Sequence, residues 1–126
     1  MALQSLTERQ AAALERFCEV VVPGSARVGP AIYIDALLAR MPAPARGQFV
    51  ESIEELGELA RGGAAALAPH AHSPGFLGLR ALACEAFYSD FVAPGRDVTG
   101  AWDEIDFHPR SAAFLQKDWS YLGIEG

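Results

Sequence analysis

The chain has 126 residues, 51% of them hydrophobic, and a formal charge of −6 with a single lysine among ten basic residues. That length is one domain, able to bury about two-thirds of the surface its unfolded form exposes. Basic residues scattered singly through an acidic chain leave no stripe that could neutralise a phosphate backbone, so nucleic acid is excluded as the expected partner.

Much of the apolar fraction is alanine, in runs such as Ala11-Ala12-Ala13 and Ala64-Ala65-Ala66. Alanine forms helix well but fills little volume, so the expected fold is all-α with a thin core. The first helix is announced by Thr7 followed three residues later by Gln10, a capping box with Leu6 just outside it. Leu14, Phe17, Cys18 and Val21 then share one helical face, and "VVVPG" stops the helix, Val20 to Val22 reading as its last turn rather than a strand.

A second helix is expected from Gly29-Pro30, with Ile34, Leu37, Leu38 and Met41 on one face and Pro42 and Pro44 closing it. Phe49, Ile53, Leu56 and Ala60 define a third, whose Glu51, Glu54, Glu55 and Glu58 lie largely on the solvated side, with Gly62-Gly63 as its end. Pro69 to Pro74 reads as loop. Leu79, Leu82, Ala83, Ala86 and Phe87 define a fourth helix from about Phe76 to Phe91. Four helices joined by short links favour a small bundle-like body over residues 1–92.

From residue 93 to 126 glycine and proline recur and no window sustains a period, except a helical turn or two around Ser111 to Lys117. Eight of the twelve aromatic residues nonetheless fall between Phe87 and Tyr121. Such a tail either folds back over the helices or lies on another protein, and both can hold together. Trp, Tyr and Phe are over-represented at interface centres. The expected partner-binding residues are therefore Phe87, Tyr88, Phe91, Trp102, Phe107, Trp119, Tyr121 and Leu122, with Trp119 and Tyr121 leading.

Chemistry of its own is not expected. His70 and His72 in "PHAHSP" are two ligands where a zinc site wants three or four, and His108 is distant in sequence. Cys18 and Cys84 each lie within a helical pattern and read as two thiols rather than a bridge or a nucleophile. The four glutamates lack the Glu-x-x-His partner motif of helix-borne metal pairs, and no glycine cluster follows a strand to make a phosphate or dinucleotide loop. No catalytic, cofactor-binding or metal residue is expected in this chain. No stretch approaches ~18 apolar residues and "MALQSLTERQ" lacks the parts of a secretory leader, so the expectation is a cytoplasmic chain without membrane insertion.

The succession of a capped helix ending in "VVVPG", a second helix "YIDALLAR", an acidic amphipathic third helix, and a fourth running into "EAFYSDF" before an aromatic end resembles the gluconate 2-dehydrogenase subunit 3 family. Its members are small subunits that accompany flavin-containing dehydrogenases of the glucose-methanol-choline type. The resemblance covers nearly the whole chain on short motifs. It implies that FAD, the catalytic histidine and the substrate pocket belong to a large partner subunit, which this chain binds and stabilises. Many members carry a twin-arginine export signal that this sequence lacks, and an electron-accepting haem subunit, present with some relatives, stays open. The alternatives are a homo-oligomeric helical binding module, whose aromatic belt meets its own copy, and a small metal-binding enzyme using His70 and His72.

Overall fold

A computed structural model describes residues 3–104 and 118–124. Helix α1 (Glu8–Val21) begins on the capping box: Thr7 Oγ1 accepts from Gln10 N at 3.1 Å and Gln10 Oε1 accepts from Thr7 N at 3.0 Å. Two of the orphan amides of a helix start are thereby satisfied reciprocally. Its inward face is Ala13, Leu14, Phe17 and Cys18, all buried. Beyond Val22 the chain turns at Pro23-Gly24, where the Glu19 carboxylate accepts from Gly24 N at 2.7 Å and Ala26 N at 3.1 Å.

A short 3-10 turn (Ser25–Val28) and the left-handed Gly29 lead into α2 (Pro30–Ala39). Seven of these ten residues are buried, because α2 packs against α1, α3 and α5. Pro42 ends α2 and caps α3 (Ala43–Leu59), so the two prolines read as a stop also serve as a start. Glu51, Glu54, Glu55 and Glu58 are all exposed, as expected. On the other side of α3, Gly57 lies against α1 so closely that a Cβ would meet Ala13 Cβ at 2.6 Å and Ala13 O at 2.7 Å. Only hydrogen at that position permits the α1–α3 contact.

Helix α3 stops at Leu59, three residues short of the glycine pair, and tightens into a 3-10 turn over Ala60–Gly62. Gly63, with φ of 76°, then reverses the chain into a short α4 (Gly63–Leu67), which uses the alanine run that lacks a period of its own. After a 3-10 turn at Ala68–His70, α5 runs Pro74–Tyr88, with Ser73 Oγ accepting from Phe76 N at 3.1 Å. The expected extension of this helix to Phe91 fails at Asp90, whose φ of 66° is left-handed. Asp90 then serves as an acceptor at the start of α6 (Ala101–Glu104), taking a bond from Trp102 N at 3.0 Å.

The core is one cluster. Leu14, Phe17, Ile34, Leu38, Ile53, Leu79, Phe91 and Leu122 are its largest fully buried side chains, drawn from all four long helices and from the segments after α5. No strand occurs among the described residues, and the all-α expectation holds. Phe107 and the turn expected around Ser111 to Lys117 lie outside the described residues.

Candidate functional site

The C-terminal segment is fastened to the body from two sides. Trp119 stands in a triangle of rings with Tyr33 and Phe91, centroids 5.8 Å and 5.5 Å away, while Tyr33 and Phe91 are themselves 5.3 Å apart. Leu122 and Ile124 are buried. On the outside, Arg40 Nε donates to Tyr121 O at 3.2 Å, Gln4 Nε2 donates to Leu122 O at 2.9 Å, and Arg40 Nη1 donates to Gln4 Oε1 at 3.0 Å. The turn Ser120–Leu122 thus sits on α2, beside the N-terminal segment.

That segment is itself held by Asp35, a carboxylate only 2% exposed in the middle of an otherwise apolar helix. Asp35 accepts from the backbone N–H of Gln4 at 2.7 Å, of Ser5 at 2.8 Å and of Leu6 at 2.8 Å, and from Ser5 Oγ at 3.1 Å. A buried charge is tolerated where several donors converge on it. A lone acid inside "PAIYIDALLA" is the signal that could have singled it out.

The expected partner-binding residues divide into two groups. Phe87, Phe91 and Leu122 are buried in the chain's own core and offer no surface. Trp119 is half-buried in the ring triangle. Tyr121 and Tyr88 remain open, at 66% and 52% exposure, and Trp102 is half-buried with its indole N–H donating to Tyr88 O at 3.0 Å. The Tyr33 hydroxyl donates to Glu85 Oε2 at 3.0 Å, and burial together with that bond holds its ionisation well above the ordinary tyrosine range, with Tyr121 adding to the effect. Tyr33 therefore links the C-terminal turn to the rim of α5.

Helix α5 has an unusual composition for one that meets solvent: its fifteen residues carry Arg80 and Glu85 as their charges. A helix apolar all round is ordinarily covered all round. Here Phe76, Leu79, Ala83, Ala86 and Phe87 face the core, whereas Leu77, at 49% exposure, Ala81 and Tyr88 are open and Cys84 is half-buried. Those four follow one another at i, i+4, i+7 and i+11, a single straight seam.

The remaining chemistry is sparse. His70 Nδ1 lies 3.9 Å from Glu55 Oε1, His72 is exposed, and no group of three or more metal-ligating side chains occurs among the described residues. Cys18 and Cys84 are free thiols; burial pushes the Cys18 thiol up, beyond the reach of neutral pH. Glu15 was not anticipated. It borders a cleft of about 520 Å³ lined by Leu6, Ala11, Ala31, Ile32 and Arg96, and its Oε1 accepts from Ala31 N at 3.1 Å. Burial pushes its carboxyl up to about 7, against the opposing pull of the Ala31 N–H and Arg96. A larger cleft of about 650 Å³ between α1 and α3 is bordered by Arg9, Arg16, Arg61, Glu54 and Glu58, but Arg16 and Arg61 already meet Glu58, at 4.0 Å and 3.0 Å. Compared with protein-family models, with curated proteins and with solved structures, the chain gives no match.

Proposed function

We propose that the chain is a non-catalytic small subunit that binds and stabilises a large FAD-dependent alcohol or sugar dehydrogenase, or oxidase, of the glucose-methanol-choline type. The observation that carries the reading is Tyr121, 66% exposed on a turn that Arg40, Gln4 and the Trp119 triangle hold in place. A large aromatic ring already fixed in the open loses little entropy when a partner covers it, which is the physics of an interface anchor. The exposed Tyr88 and the half-buried Trp102 form a second aromatic group near the end of α5.

The stretches that carry the family resemblance also support the reading, because each marks a place where this body is held together. "VVVPG" forms the exit of α1, "YIDALLAR" contains Asp35 and Arg40, and "EAFYSDF" carries Glu85, Tyr88, Asp90 and Phe91. In this reading FAD, the reacting groups and the substrate pocket lie in the partner, and the small subunit supplies contact area.

Co-expression with a large flavoprotein encoded beside this chain is the direct test. A yellow complex containing both chains is expected on size-exclusion chromatography. Tyr121→Ala is expected to weaken that complex about 10- to 100-fold, the usual range for an aromatic anchor. Unchanged affinity of the variant, or turnover of an alcohol or sugar by the isolated chain, would overturn the reading.

A further inference from the structure

The start of α2 is gripped from two sides by opposite charges that do not meet. Glu15 of α1, half-buried, spends Oε1 on Ala31 N at 3.1 Å. Arg96, from the segment after α5, spends Nη1 on Ala26 O at 3.0 Å and Arg27 O at 3.3 Å. Its guanidinium lies so close over Gly29 that a Cβ there would meet Nε at 3.1 Å. Each group is thus tethered to backbone, and both border the cleft of about 520 Å³ whose apolar walls are Leu3, Leu6, Ala11, Ala31 and Ile32. Burial raises the Glu15 carboxyl and Arg96 pulls it down, so the two charges sense each other. Yet no hydrogen bond or ion pair joins them among the described residues, where Glu15 Oε2 and Arg96 Nη2 are left without a bond. An apolar cleft of this volume with a few convergent polar groups, one of them a carboxyl displaced from its ordinary range, is the usual form of a small-molecule site.

We propose that this cleft binds a free apolar α-amino acid, of leucine to phenylalanine size, with its ammonium on Glu15, its carboxylate on Arg96 and its side chain along Leu6, Ala11 and Ile32. A ligand of single charge would cover one of the two groups and leave it without a partner, whereas a zwitterion meets both. The planar fork of an arginine suits a carboxylate, and the apolar walls suit an aliphatic or aromatic side chain. Tyr121 does not border this cleft, and the inference stands independently of the flavoprotein reading. A bound ammonium also favours the ionised form of Glu15. The charged and titratable groups around that carboxyl are Glu8, Cys18 and Glu19 on α1 itself and Arg96 from the segment after α5, while α2 presents the Ala31 N–H.

Isothermal titration of the full chain with L-leucine at pH 7 is expected to show one saturable site of about 0.1–1 mM, the range for an open cleft and a ligand of roughly nine heavy atoms. Leucinamide lacks the carboxylate and 4-methylpentanoate lacks the ammonium, and each is expected to bind at least about tenfold more weakly. Glu15→Gln keeps an acceptor for Ala31 N, and Arg96→Met keeps an aliphatic stem over Gly29; thermal melting checks that both variants fold. In Glu15→Gln leucine should hold no advantage over 4-methylpentanoate, and in Arg96→Met none over leucinamide. A general loosening of the fold does not produce that selective loss of discrimination. Because Glu15 is held at about 7, binding at pH 7 is expected to release about half a proton, read from the heats in buffers of different ionisation enthalpy, and none in Glu15→Gln. The proposal is overturned if neither leucine nor phenylalanine binds saturably by about 20 mM, if either analogue binds as well as leucine, or if proton release persists in Glu15→Gln. The titration uses the chain alone, so its failure leaves the flavoprotein reading untouched.

Discussion

Replacing Asp35 should unfasten both ends of the chain at once. Asp35→Ala leaves three backbone N–H groups without their acceptor, and that of Leu6 is in a residue only 6% exposed. A buried donor left unpaired costs about 1–3 kcal/mol, and the two part-buried donors, which can recover water, cost about 0.5–1 kcal/mol each in lost charge-assisted bonds. Removing the buried charge itself returns some desolvation energy, so the expected loss is about 2–4 kcal/mol, from a domain whose total stability is of order 5–15 kcal/mol. Urea unfolding should show this as a lower midpoint at unchanged slope, and heating as a melting temperature lower by roughly 6–16 °C. Asp35→Asn is nearly isosteric but turns an amide NH₂ towards an N–H donor, so it should recover less than half of the loss. Hydrogen exchange adds a local readout: the amides of Ser5 and Leu6 should be protected in the original chain and exchange freely in Asp35→Ala. A loss under about 1 kcal/mol would refute the reasoning. So would rapid exchange of those two amides in the original chain.

Three further outcomes follow from the same geometry. Glu15 is held at about 7 in the fold against 4.5 for a free side chain, so the folded state favours its protonated form; the stability this gives is full below pH 4.5 and disappears as pH rises to about 7. The gap corresponds to at most about 3 kcal/mol, so Glu15→Gln should gain up to that amount over the original chain between pH 5 and 8, read by urea titration at each pH, and a constant difference would contradict the assignment. Gly57→Ala drives a Cβ into Ala13 across the α1–α3 contact and should cost about 1–3 kcal/mol despite the better helix propensity of alanine; a stabilised variant on calorimetry would show that the helices separate freely. Trp119→Ala removes one corner of the ring triangle and should cost about 2–3 kcal/mol, with faster proteolysis between 118 and 124; unchanged proteolysis would mean that the Arg40 and Gln4 bonds suffice alone.

The elements that sequence reading placed well are those whose signal is local. Thr7 with Gln10, Pro30 after Gly29, and the glutamate face of α3 each state their role within one or two turns. What it misplaced depends on distant contacts. The alanines of α4 have no periodic signal because alanine fits either face, and the end of α5 is set by the left-handed Asp90, whose carboxylate meets Trp102 twelve residues on. The aromatic end was legible as a surface to be covered, by its own chain, by another or by both, but not which side chain takes which side: Phe87, Phe91 and Leu122 are spent inward, and Tyr88 and Tyr121 are left outward. Composition cannot separate those two fates, since a ring that packs and a ring that waits are the same residue. The α5 seam was legible in principle, because two charges in fifteen helical residues cannot screen a whole circumference.

The single bond from Gln4 Nε2 to Leu122 O brings residues near the two ends of the sequence to one spot on α2. A polypeptide of this kind can be re-threaded. If 124 were spliced to 3 through a brief glycine-serine bridge, keeping the buried Ile124, and new ends were cut at Gly62-Gly63, the same body should assemble from a different starting point.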